Sequence, residues 1–333
     1  MLNKVLDGGN LVLGRKHNMK NNIPNGIFSS VVKEVLDEEL GISKEAYEEA
    51  NRMFAFIEKI ISDNTKYKFY YIDDVLVYGI QDYGDINLFD EKYTINYQFE
   101  FIFIKNEEEY NKYSKSILLE YLGFAQEDNL LFIRKPIMCS DIDNVRMDNE
   151  TNSVLYDTLQ HEFKHIYQKY MLSQKDENRN ILDYKKGKVY YRATEWIYTH
   201  NYDGSDLYNM FWAIYYLTPA EITANAQALY GEIKRRAKDK KDAIDILNNS
   251  EFIEEMQIYS NLLGKLNNNK IKLSDLMIVQ RKLGRNTEWI IKYINKGLNK
   301  MKQSVRKIEK LIDKEYLQKR RMFNPPCLLH RPF

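Results

Sequence analysis

Val154-Leu155-Tyr156-Asp157-Thr158-Leu159-Gln160-His161-Glu162-Phe163-Lys164-His165-Ile166-Tyr167 is the stretch whose reading decides the fold. Val154, Leu155, Leu159, Phe163, Ile166, Tyr167 and, just beyond, Tyr170 recur at three- and four-residue spacing, which predicts a helix with one buried face. Within it stands H-E-x-x-H. Positions four apart share a helix face, so His161 and His165 can offer both imidazoles to one metal ion. Glu162 projects roughly 100° round the helix from His161, placed to take a proton from a metal-bound water instead of binding the metal. With 5 histidines among 333 residues and glutamate at about 8% of positions, accidental matches number roughly 0.006 per chain. Two histidines on a half-buried helix also need partners, and a metal satisfies both. The competing reading is a pair of hydrogen-bonded structural histidines.

A zinc site with three protein ligands needs one more donor. The next informative stretch is Leu217-Thr218-Pro219-Ala220-Glu221-Ile222-Thr223-Ala224-Asn225-Ala226. Thr218 suits an N-cap and Pro219 the first helical position, so a helix starts here with Glu221 in its first turn. Asn225 follows one turn later on the same face, where its amide can orient a ligand imidazole or the Glu221 carboxylate. Glu221 also has a plain reading: Thr218-x-x-Glu221 is a capping box, worth about 1 kcal/mol of local helix stability. Other candidates for the third ligand are His200, Glu195 and Asp203. His200 lies too far past His165 for the short H-E-x-x-H-x-x-G-x-x-H arrangement. Its alternative role is to donate a hydrogen bond to the oxyanion of peptide hydrolysis, which Tyr198, Tyr202, Tyr215 or Tyr216 could equally do.

H-E-x-x-H on one helix and E-x-x-A-N on a later one resemble the glutamate zincins, nearest to the small ImmA/IrrE-type metallopeptidases and related peptidases of phages and mobile elements. The resemblance covers about two helices. It implies Zn2+ as cofactor, held by His161, His165 and Glu221, with Glu162 as general base and Asn225 behind the ligands. It also implies an enzyme that hydrolyses peptide bonds in a peptide or protein substrate through a zinc-bound water. The rival is a catalytically silent protein of the same fold with a structural or virion-associated role.

The rest of the chain fits around these helices. Helices are expected over 28–40 and 43–63, and strands at Tyr67–Ile72, Val75–Ile80, Tyr93–Ile104 and Leu130–Arg134, with a short helix over 107–122. After His165 the expectation is helical: 188–200, 205–217, 219–237, 241–264, 273–283 and 286–320. The fold class is therefore α+β and zincin-like: a small, mostly antiparallel sheet before the active-site helix, then a helical C-terminal half. Three parts are expected, an N-terminal helical segment 1–64, a core 65–237 with both motifs, and a helical region 238–333. An edge strand of the sheet could hold an extended peptide by backbone pairing.

Composition narrows the function classes. At 44% hydrophobic and 29% charged the chain can build a sizeable core. No apolar run approaches the roughly 20 residues of a membrane span, and Met1 to Asn25 lacks a signal-peptide pattern. A cytoplasmic protein is expected, or a virion-associated one if it is of phage origin. Cys139 and Cys327 are the only cysteines, which leaves no disulfide framework and no thiolate zinc site. A net charge of +1 gives no global pull toward nucleic acid. The basic run from Lys292 to Arg321, set against Glu309, Asp313 and Glu315, could touch an acidic partner or nucleic acid, and a nucleic-acid-associated regulator is the second rival. The favoured reading is the solvated face of an amphipathic helix, with nucleic acid not the expected partner.

Overall fold

The computed structural model describes residues 42–323 except 73, 115–123, 126–129, 140–144, 146, 148, 175–180 and 201–203. The expected helix over 28–40, Asp203, Tyr202, Cys327 and the proline-flanked tail lie outside the described residues. The chain is α+β. Helix α1 (Lys44–Ser62) starts at Ser43, whose hydroxyl accepts the Ala46 amide, and buries Ala50, Met53, Ile57, Ile60 and Ile61. Strands β1 (Lys68–Ile72), β2 (Val75–Leu88) and β3 (Tyr93–Ile104) form an antiparallel meander. After helix α2 (Glu107–Ser114) come β4 (Phe124–Ala125) and β5 (Leu130–Met138). The sheet order is β1-β2-β3-β5-β4; only the β3–β5 pair is parallel, so the sheet is mostly antiparallel, as expected.

Alternation along β3 gives the sheet two faces. Phe99, Phe101 and Phe103 point to one face, where α1 and α3 (Asn149–Gln174) cover them through Met53, Ile57, Leu155, Leu159, Phe163 and Ile166. Ile102 and Ile104 point to the other and pack with Tyr70, Ile72, Val77 and Tyr113. On this second side Arg134 of β5 donates to Glu100, its register partner on β3, at 2.7 Å. The β2–β3 hairpin turns through three successive left-handed residues, Phe89, Asp90 and Glu91, with φ of 55°, 56° and 64°. Its tip is fastened to the helices: the Phe89 amide donates to Glu49 at 2.6 Å, and the Phe89 ring stacks on Tyr170.

The helical half comprises α4 (Ile181–Tyr198), α5 (Asp206–Tyr216), α6 (Pro219–Arg236), α7 (Lys240–Asn248), α8 (Glu251–Asn267), α9 (Leu273–Leu283) and α10 (Thr287–Phe323). One apolar core runs through all seven, from Ala193 and Trp196 to Ile308 and Ile312, with residues on both sides of Lys238. Helix α6 joins the two halves. It lies antiparallel along α3, as Gln168 meets Thr223, Gln160 meets Gln227 and Ser153 meets Arg235. Gly231 makes the approach close enough, because a Cβ there would meet Gln160 Cγ at 2.7 Å. No helix among the described residues is long and apolar enough to cross a membrane.

Candidate metal centre

Helix α3 buries Leu155, Leu159, Phe163 and Ile166 against the sheet, and helical geometry turns His161 and His165 to the opposite side, toward α6. Helix α6 begins where the sequence places it. The Thr218 hydroxyl accepts the Glu221 amide and Pro219 occupies the first turn. The Glu221 carboxylate faces the two imidazoles. His161 Nε2 and His165 Nε2 stand 3.1 Å apart, and Glu221 Oε2 lies 3.4 Å from the first and 3.6 Å from the second. Three donors at such separations can hold one small cation, and among the described residues His161, His165 and Glu221 form the cluster close enough to do so.

Hydrogen bonds fix which atoms carry lone pairs. Asn225 Nδ2 donates to the Glu221 carbonyl at 2.9 Å, so Asn225 Oδ1 is the acceptor that faces His161 Nδ1 at 3.1 Å. His161 then carries its proton on Nδ1 and turns the Nε2 lone pair toward the cluster, the tautomer that ligates a metal. His165 is arranged differently: its Nδ1 is buried with no hydrogen-bond partner among the described residues. The site is nearly dry on the Glu221 side and more open at His161, whose side chain keeps 20% of its surface against 6% for Glu221.

Charge reinforces the geometry. Burial opposes ionisation of Glu221, but His165 and His161 outweigh it and hold its carboxyl far below the usual carboxylate range. Burial likewise works to lower the His161 pKa, and Glu221, Glu162 and Asn225 together raise it instead. An anionic carboxylate against two imidazoles offers the donor set of a hard-to-borderline divalent cation. No family model matches the chain, and no curated protein or solved structure does either.

The remaining candidates are placed elsewhere or play other parts. His200 stacks on Trp196 at 4.1 Å, with Nδ1 2.8 Å from the Trp196 carbonyl, and does not belong to the cluster. Glu195 is exposed on α4. Tyr216 is buried in the helical core, and Tyr215 lies against Tyr190. Sequence reasoning missed Tyr293 of α10, which is partly buried and near enough to Glu221 that desolvation and that charge both raise its pKa; its hydroxyl donates to the Ile214 carbonyl. It also missed the glutamine bridge beside the histidines, in which Gln227 accepts the Ser43 amide and donates to Gln160. Neither had a local signal, since each partner is remote along the chain.

Proposed function

We propose that the protein is a zinc-dependent metallopeptidase of the zincin type, with His161, His165 and Glu221 as ligands and Glu162 as general base. The observation that carries this reading is the spacing of the three donor atoms. Ligand atoms about 2.0–2.1 Å from one tetrahedral ion stand about 3.4 Å apart, close to the 3.1, 3.4 and 3.6 Å found here. When bound, Zn2+ with an open fourth position supplies Lewis acidity that lowers the pKa of a water to about 7. The chain's own residues do the rest. Asn225 fixes the His161 ring, the buried carboxylate of Glu221 balances part of the charge, and Glu162 holds a proton taken from water until the leaving amine accepts it. Among the described residues β4 is an edge strand of the sheet and touches α3, and an extended peptide could add to the sheet along that edge.

Glu162→Gln separates enzyme from silent scaffold. It keeps both histidines and the side chain's size, so zinc content should match wild type, while cleavage of a mixed peptide library at neutral pH, read by mass spectrometry, should fall about 10²- to 10⁴-fold. Cleavage undiminished in the variant, or absent from a zinc-loaded wild type, counts against the enzyme.

A further inference from the structure

Helix α10 spans Thr287–Phe323, and its apolar side is spent on the helical core: Ile290, Ile294, Leu298, Met301, Ile308 and Ile312 are buried. The opposite side is a ridge. At 100° per residue, Lys292, Lys296, Asn299, Gln303, Arg306, Lys310 and Lys314 fall within about 40° of one line, and all seven are exposed. The carboxylates that temper this run in the sequence are set aside in the fold. Glu315 takes Lys234 and the Tyr230 hydroxyl, and Asp313 takes Lys240. Glu309 lies about 100° off the line, and Glu288 marks its N-terminal limit. Among the described residues the five cations of the ridge have no carboxylate partner.

We propose that this ridge is a binding surface for the phosphate backbone of duplex DNA, read without sequence preference. It spans 23 residues from Lys292 to Lys314, a rise of about 33 Å, which is close to one turn of the duplex. Lysines and arginines four residues apart sit about 6 Å apart, and Asn299 and Gln303 between them offer further hydrogen bonds to phosphate oxygens. A lipid surface suits the ridge less well, because an amphipathic helix binds a bilayer through its apolar face, which here is inside the protein. An acidic protein partner would call for an apolar centre within the patch, and these seven positions hold none. With a net charge of only +1, the attraction is local to the ridge.

The test uses the full chain with a 30-base-pair duplex of mixed sequence, followed by fluorescence anisotropy. Five phosphate contacts give a slope of log affinity against log salt of about −4.5, a loss of roughly 500-fold between 50 and 200 mM. The triple variant Lys296→Gln, Arg306→Gln, Lys310→Gln should bind more weakly and lose only about 10-fold over the same range. A control with equal charge change on the sheet side, Lys59→Gln, Lys68→Gln, Lys105→Gln, should behave like wild type. Circular dichroism checks that all three proteins are folded, which exposed substitutions favour. Binding equal in the triple variant and wild type overturns the proposal, as does no binding at 50 mM salt. Retention on phosphatidylserine vesicles with none on the duplex also overturns it and assigns the ridge to membranes.

Discussion

Asn225 holds His161 through one hydrogen bond and the Glu221 backbone through another, so losing it disturbs orientation without removing a donor. That distinction ranks the site's variants. His161→Ala or His165→Ala should abolish zinc retention, each removing one of the three proposed ligands. Glu221→Ala should weaken it strongly, Asn225→Ala by about 10- to 100-fold, and His200→Ala not at all. Titration against a competing chelator reads the order directly; His200 ranking above Glu221 would sink the ligand assignment. The sequence left open whether Glu221 closes a capping box. In the structure Thr218 makes its half of the box, accepting the Glu221 amide, and the carboxylate goes to the histidines. Local spacing could not settle this, because the two fates differ only in which remote helix stands opposite.

The pairing of α3 with α6 is the element on which the site depends, since two donors come from one helix and one from the other. Gly231→Ala tests it. On helix propensity alone alanine is better by about 1 kcal/mol, yet its Cβ would meet Gln160 Cγ at 2.7 Å and Gln160 Cδ at 3.0 Å. The expected result is a lower melting temperature and weaker chelator resistance than wild type; a stabilised protein with unchanged zinc affinity would show that the contact relaxes freely. The helices themselves were readable where caps and periodicity agree, as at Thr218-Pro219 and over Leu273–Leu283. The expected single helix over 241–264 is two, because Ser250 accepts the Ile253 amide and starts α8 afresh. Strand β2 runs eight residues past the expected Ile80 despite its polar sequence, because β3 pairs with it to Leu88. Strand β5 continues through Pro136, where the described residues give it a neighbour, β3, on one side only. The expected helix over 107–122 is described only as Glu107–Ser114.

Across the whole molecule, the apolar core of the helical half contains a carboxyl that ordinary core packing would avoid. Glu255 is buried and accepts from Trp212 Nε1 at 3.3 Å; burial, opposed by Tyr259 and Trp212, pushes its pKa up to about 7. Asp157 on α3, partly buried and near Glu232, is pushed up to about 7 as well. For both groups the folded state binds the proton more tightly than the unfolded one. Their contribution to stability should therefore be full below about pH 4, fall between about pH 4.5 and 7, and stay level above, while Glu221, whose carboxyl is held low, acts in the opposite sense as pH falls below about 4.5. Glu255→Gln removes its share of that slope, raising stability at pH 8 by roughly 3 kcal/mol at most while keeping the indole hydrogen bond. Denaturant melts at pH 5 and pH 8 measure the difference, and equal slopes for variant and wild type would refute a neutral Glu255.

The tip of the β2–β3 hairpin points in a different direction. Three side-chain-bearing residues in the left-handed region each carry about 1 kcal/mol of steric cost, tolerated because Phe89 is anchored to Glu49 and Tyr170. Phe89 has earned its place through those contacts, whereas Asp90 and Glu91 are exposed. For anyone wishing to harden this protein, glycine at 90 or 91 is the first substitution to make. It should add a few tenths to about 1 kcal/mol after the extra freedom of the unfolded chain is subtracted, visible as a rise in melting temperature, and it leaves the candidate metal centre and the basic ridge untouched.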